Sequence, residues 1–358
     1  MKGDQLDFFK EFSYKLLTYN RLVGTHGHRR ALELAESFLE YLSVLPQKEV
    51  FSLKEYLPQE SWLQVAEEKI KAVAHLGVKS VELEGYLKRD YLQGDIALIP
   101  DLSRDKALRA QEGGASAIVT YTSTGEYLYG GYTGLSIPVL SVREADLPKV
   151  EDFKVSLRVN SVEKNLQGTN LLLELGRGPV IYITAHLDTV HGGYGALCSG
   201  VGVALLLFLY MELKDNYKVP YRLRFLLTDA REMGSKGAKF HLRGSTKHIF
   251  YCINLEGVGW HSPCVVYKDA GGYNGERINE LFYKHLQDVG VKMDFCSAED
   301  RDGDHIPFKE KGVQTLFLSS CPLTVRHTTY DNYEAVCWDT VELWYEVILS
   351  FLRRFHRL

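Results

Sequence analysis

Five polar residues stand out because each lies just beyond the end of an expected strand. His186 and Asp188 follow a strand ending at Ala185, and Glu232 follows one ending at Thr228. Glu256 caps a strand ending at Leu255, and His327 sits in a loop after a strand ending near Ser319. In open α/β sheets, ligands bind beyond the carboxyl ends of the strands. Two imidazoles and three carboxylates gathered there from distant segments make the N/O ligand set that zinc prefers. A lone His or Glu after a strand is more often an ordinary hydrogen-bonded residue. Their shared position is what points to a metal centre.

The elements that must position them follow from periodicity. Apolar residues at helical spacing predict helices over 6–19 and 30–42, separated by the loop Gly24-Thr25-His26-Gly27-His28, and a strand over 49–56. Residues 58–150 change texture: short strands at 96–99 and 117–121 flank a helix over 103–112, and a Gly- and Tyr-rich loop leads to 137–141. Beyond 155, strands at 171–175, 180–185, 221–228, 250–255 and 315–319 alternate with helices at 200–214, 236–242, 277–289 and 340–355. Such alternation builds a mostly parallel sheet with helices on both faces. The expected fold is therefore three-layer α/β, a mostly parallel central sheet flanked by helices, with a small inserted α+β or β module. Residues 1–57 and 151–358 supply the main domain and 58–150 the insertion.

Composition narrows the function classes. The chain has 358 residues, 45% hydrophobic and 25% charged, which is ordinary for a globular protein. A formal net charge of -4 gives no electrostatic reason to expect nucleic acid or an anionic membrane as partner. Residues 1–15 carry no apolar core of a signal peptide, and the apolar run 201–211 is too short to span a bilayer. A cytoplasmic location is the expectation. Six cysteines without a CxxC pair read as buried thiols, neither a disulfide framework nor a zinc ribbon.

Five segments in order resemble the di-zinc aminopeptidase family that includes bacterial leucyl aminopeptidases, glutamate carboxypeptidase and glutaminyl cyclase. They are Ala185-His-Leu-Asp-Thr-Val190, Gly195-Ala-Leu-Cys-Ser-Gly200, Asp229-Ala-Arg-Glu-Met-Gly234, Ile253-Asn-Leu-Glu-Gly257 and His327-Thr-Thr-Tyr-Asp-Asn332. Asp304-His-Ile-Pro-Phe308 and Arg21-Leu-Val-Gly-Thr25 are also similar to family segments, and the middle of the chain resembles the protease-associated module often inserted there. The resemblance implies that His186 and Glu256 hold one zinc and Glu232 and His327 a second, with Asp188 orienting His186. It implies action on a peptide or small amino-acid derivative, through two zincs that polarise the carbonyl and supply hydroxide.

Two positions depart from the pattern. The general base normally precedes the metal-binding Glu, and that position is Arg231. The bridging Asp is replaced by Cys198 or, in a second alignment of the shortened segment, by Ala196. Losing a positioned base costs about 10²–10⁴ in rate. At about 5 Å and an effective dielectric of ~20, each unit of charge changes the energy by roughly 3 kcal/mol. One zinc, or none, is expected rather than two. Cys198 is then either a thiolate ligand or a small residue filling the turn, and His191, His26 and His28 read as solvent-facing. Three functions stay open: a protein whose peptidase activity is lost or weakened, an exopeptidase with an altered one-metal site, and an aminoacyl transferase resembling glutaminyl cyclase with zinc on Cys198, Glu232 and His327. Arg231 either points to solvent or sets its planar fork of donors among these acids.

Overall fold

The computed structural model describes residues 1–355 except 2, 132, 133 and 245. Two helices open the chain, α1 (Gly3–Leu17) and α2 (His26–Tyr41). The Thr25 side chain accepts a hydrogen bond from the His28 amide and so caps α2. Next come β1 (Gln47–Val65), β2 (Glu68–Ala74), β3 (Val81–Lys88), β4 (Ile96–Pro100), α3 (Arg104–Glu112), β5 (Ala117–Tyr121), β6 (Val139–Ser141) and β7 (Lys154–Gly176). The remainder runs β8 (Val180–His186), α4 (Val201–Leu213), β9 (Arg222–Thr228), α5 (Lys236–His241), β10 (Ile249–Leu255), β11 (Pro263–Asp269) and β12 (Gly272–Tyr273). It ends with α6 (Glu276–Asp288), β13 (Asp294–Ala298), α7 (His305–Glu310), β14 (Gln314–Ser320) and α8 (Trp338–Arg354).

The fold is mixed α/β, with a large central sheet flanked by helices. The order β7-β9-β8-β10-β14-β11 forms its centre. The contacts of β8 with β9 and β10, and of β10 with β14, are parallel, whereas β7 and β11 pair antiparallel at the two sides. β8 is buried at every position, as a strand covered on both faces must be. Helix α4 is apolar all round because it lies inside the core between α1, α8 and the sheet. With the turn before it, it makes an 18-residue apolar stretch long enough to cross a membrane, but 89% of that stretch is buried within the protein. Gly202 lets α4 press on β10: a Cβ there would lie 2.4 Å from the Leu255 carbonyl oxygen.

The segment between β1 and β7 packs its own core around Leu63, Ile70, Leu98, Val119, Leu140 and Leu157. It is not set off at residues 58 and 150. β1 and β7 pair antiparallel from Gln47↔Leu172 to Gln64↔Ser156, crossing both expected boundaries as one ribbon. The only register shift in this pairing falls between Pro58 and Glu60, where proline has no N–H for the ladder. The strands expected at 49–56 and 171–175 are thus short pieces of much longer ones. β1 buries Phe51, Leu53, Leu57 and Leu63 on one face, whereas residues 162–165 of β7 are all exposed and interrupt the apolar periodicity of that strand.

Two basic residues tie the N-terminal helices to the sheet. His26 is exposed as expected, but His28 is buried, its Nε2 2.9 Å and 3.0 Å from the two Asp229 oxygens. Helix α2 starts four residues earlier than its apolar pattern indicated, and that turns His28 inward. Arg21 is fully buried and donates from Nε to the Leu187 carbonyl (2.9 Å), from Nη1 to that of Tyr194 (2.8 Å) and from Nη2 to that of Gly195 (2.9 Å). Burial lowers its pKa to about 10 against the pull of Asp331 and Asp188. Of the six cysteines, Cys198, Cys252 and Cys264 are buried, while Cys296, Cys321 and Cys337 are partly exposed, which corrects the expectation of six buried thiols.

Arg21→Met leaves several buried carbonyls without a donor and is expected to cost roughly 3 kcal/mol in urea unfolding; a loss below about 1 kcal/mol contradicts the role given to Arg21. Burial alone would lower the His28 pKa, but Asp229 outweighs it and the pKa is raised. The pair therefore stabilises the fold fully below the ordinary value near 6.5, and that contribution fades as pH rises through the folded-state value. His28→Gln should flatten the pH dependence of stability above pH 6.5, measured by urea midpoints across the range.

Candidate active site

The strand ends and the connections beyond them bring His186, Asp188, Glu232, Glu256 and His327 into one buried cluster. His186 ends β8. The turn after β9 carries Arg231 and Glu232, helped by Ala230 at a φ of 54°. Asp188 fixes that turn: its two carboxylate oxygens each accept a backbone amide, from Arg231 and from Glu232, both at 2.9 Å. Its expected role toward His186 falls more to its backbone carbonyl, 3.0 Å from His186 Nδ1, than to its carboxylate at 3.4 Å. Glu256 follows β10, and His327 adopts a φ of 60° in the long connection to α8.

Cys198 enters from the π-turn Ala196–Gly200 that leads into α4. Asp331 accepts the amides of Leu197 (2.6 Å) and Cys198 (3.3 Å) and so caps this helix end. Cys198 Sγ lies 3.8 Å from Glu232 Oε1 and 3.9 Å from Glu256 Oε1, between the two half-sites. Of the two alternatives, Cys198 lies beside both glutamates, whereas Ala196 packs in the core.

Arg231 does not point to solvent. It is 5% exposed and donates from Nη1 to Glu232 Oε2 (2.7 Å) and from Nη2 to Glu256 Oε1 (2.9 Å). Nη2 also donates to the carbonyl and Oδ1 of Asp302, both at 2.7 Å. Burial opposes its charge, but Asp302, Glu232 and Glu256 raise its pKa further. Glu232 is likewise held well below its ordinary value by Arg231 and His327, against the effect of burial. His327 Nε2 is 3.0 Å from Glu232 Oε1. Burial would lower both His186 and His327, yet the acids around them raise both, and Cys198 is lowered by His327 and His186 despite its burial.

Asp302 and Arg326 were missed from the sequence. Arg326 Nη2 lies 3.7 Å from Asp302 and 3.9 Å from Glu256. The available signals were position: Asp302 is two residues before the Asp304–Phe308 segment, and Arg326 directly precedes His327. Asp304 itself lies beneath the site, accepting the Thr228 hydroxyl, with burial pushing its pKa up to about 6. His191 is half-buried rather than solvent-facing. Its ring meets Tyr129 at 5.7 Å edge to face, and burial lowers its pKa to about 4. Tyr129 belongs to a loop of the 58–150 segment that reaches over the site, so this neighbour was not visible along the chain.

Four carboxylates (Asp188, Glu232, Glu256, Asp302) thus face two guanidiniums and two imidazoles of raised pKa. The donors are not all used. Among the described residues, His186 Nε2 and Glu256 Oε2 have no hydrogen-bond partner, and they lie 4.0 Å apart. His186, Cys198 and Glu256 each bring one ligand atom within 4.8 Å of the others, as do Cys198, Glu232 and His327. The cluster opens on a cavity of about 680 Å³ whose wall includes Arg231, Glu232, Asp302, Arg326 and His327. The loop around Gly130–Gly131 closes one side: the Tyr129 amide donates to the His327 carbonyl (2.8 Å), and a Cβ at Gly131 would come within 2.7 Å of Glu232.

Known proteins share this fold. The family model described as Peptidase family M28 matches residues 170–352. Aminopeptidase YwaD of Bacillus subtilis is 24% identical over 360 residues, covering 88% of this chain and 77% of that protein. A vacuolar membrane protease of Candida dubliniensis is 24% identical over 185 residues, 49% of this chain but 20% of the larger protein. Among solved structures, an aminopeptidase from Aneurinibacillus sp. strain AM-1 superposes with a TM-score of 0.75 at 20% identity, covering 98% of this chain and 93% of that one. BSAP, a zinc aminopeptidase from Bacillus subtilis, does so with a TM-score of 0.75 at 20% identity, over 96% and 93% of the two chains. The matched span holds His186, Cys198, Glu232, Glu256 and His327 together and takes in more than half of the sequence: the chain belongs to peptidase family M28.

Proposed function

We propose that this protein is an aminopeptidase-like member of the family whose peptide hydrolysis is lost or weakened, and that it binds the amino end of a peptide or a small amino-acid derivative. One observation carries the reading: the Arg231 guanidinium lies between Glu232 and Glu256, where metal charge would otherwise sit. The residues do not fit two divalent ions, because one oxygen of each glutamate already accepts from the guanidinium. Removing Arg231 from these partners leaves buried charges unpaired, which costs about 3–5 kcal/mol. No carboxylate occupies the position before Glu232 from which a base would act.

The remaining donors fit one zinc. His186 Nε2, Cys198 Sγ and Glu256 Oε2 give N, S and O ligands, and the first and last of these atoms lack any other partner. A zinc held there polarises a carbonyl oxygen when bound. This observation favours a second reading, a slow one-metal exopeptidase. In both readings the chain's own groups set the ligand's orientation: Asp302 presents its half-exposed carboxylate to the cavity, complementary to a protonated α-amine. The 58–150 segment, on this reading a protease-associated-like module, walls the cavity with its Gly130–Gly131 loop.

Calorimetric titration of zinc into the parent and into Arg231→Glu tests the reading. The variant should bind zinc at least about 10-fold more tightly, which corresponds to 1.4 kcal/mol; equal affinities refute the guanidinium as a charge substitute. Aminoacyl p-nitroanilide hydrolysis by the zinc-loaded parent is expected at least about 100-fold below ordinary turnover for lack of a base. Ordinary turnover that vanishes in Glu232→Gln would overturn the proposal.

A further inference from the structure

A second group of metal-binding side chains lies outside this site. Cys264 is on β11, Cys296 on β13, and Cys321 directly follows β14; both β13 and β14 pair with β11. The three Sγ atoms all lie within 4.8 Å of one another, those of Cys264 and Cys296 at 2.9 Å. Val266, Ala298 and Phe317 pack around them. Arg301 is buried alongside, its guanidinium donating to Ser319 Oγ (2.9 Å) and the Ser320 carbonyl (2.7 Å). Cys264 is 1% exposed, whereas Cys296 and Cys321 reach the surface, Cys321 on the cavity wall.

A Cys264–Cys296 disulfide accounts for this arrangement poorly. Cys296 is in register with Val266, two residues along from Cys264. With about 3.3 Å of rise per residue and about 4.8 Å between strands, such a pair has Cα atoms roughly 8 Å apart, while a disulfide joins Cα atoms about 4.4–6.8 Å apart. It would also leave the third thiol unexplained. In a trigonal site, bonds of about 2.3 Å place two coordinated sulfurs roughly 4.0 Å apart, so the Cys264–Cys296 pair would open from 2.9 Å on binding, a side-chain movement only.

We propose that Cys264, Cys296 and Cys321 form a binding site for one thiophilic metal ion, Cu(I) or Zn²⁺, held by three thiolates. Arg301 offsets part of their negative charge. Among the described residues no His, Asp or Glu joins the three sulfurs. A trigonal set of soft ligands suits Cu(I), and Zn²⁺ would need water as its fourth ligand. The bound ion would tie β13 and the segment after β14 to β11. It would thereby fix the loop after β13, which carries Asp302 to Arg231.

The test uses the full chain with Cys198→Ser, so that the family site contributes no thiolate. Cu(I) and Zn²⁺ are titrated separately, anaerobically and under reductant, against a chromophoric chelator, with sulfur-to-metal charge-transfer absorption recorded for Cu(I). One equivalent of either ion should bind, and the tighter of the two arms identifies the ion. Cys296→Ser and Cys321→Ser should each weaken binding at least about 100-fold, while Cys337→Ser leaves it unchanged. Should the buried Cys264→Ser fail to fold, the two partly exposed positions carry the test. Binding that ignores both substitutions, or the absence of binding, overturns the proposal. So does a non-reducing peptide map that finds Cys264 joined to Cys296 in a chain that takes up neither metal.

Discussion

A guanidinium buried among carboxylates governs the electrostatics of this fold's strand ends. Acids crowded out of water repel one another and take up protons unless a cation stands between them. Arg231 meets that need with a rigid planar fork whose donors reach Glu232, Glu256 and Asp302 at once. A lysine, with a single point of charge on a flexible stem, has no equivalent of this three-way contact. Arg326 and the two raised imidazoles complete the balance, so the acids at the strand ends stay close together in an ion-pair network.

That network depends on distant backbone choices. Asp188 receives two amides from the turn after β9 and so aims both Arg231 and Glu232. Asp331 holds the first turn ahead of α4, and Gly202 lets that helix lie close enough to β10 for Cys198 to reach between the glutamates. Arg21 gathers the carbonyls of the intervening loop. Each is a hydrogen-bonding or steric requirement met inside the core, where an unmet one costs most.

The candidate site was legible in the sequence to the extent that strands are. β8, β9, β10 and β14 are apolar runs, so His186, Glu232 and Glu256 could be placed at their ends from pattern alone. The direction of Arg231 could not, because it is set by a positive φ at Ala230 and by a carboxylate 43 residues away. Asp302 hid in an acidic stretch that reads as surface. His28 hid because α2 starts before its apolar periodicity does. The ribbon of β1 and β7 reads as fragments, since the exposed residues 162–165 of β7 break its apolar alternation.

The balanced cluster also has a consequence for how this sequence can change. Replacing Arg231 by the family's acid shifts the local charge by two units in one step, and replacing Cys198 by Asp adds another carboxylate to the same space. Either change alone meets a penalty unless zinc is at hand to take up the lost positive charge, and neither alone rebuilds both the base and the bridge. The substitutions are therefore coupled: the effect of each depends on the other and on metal supply.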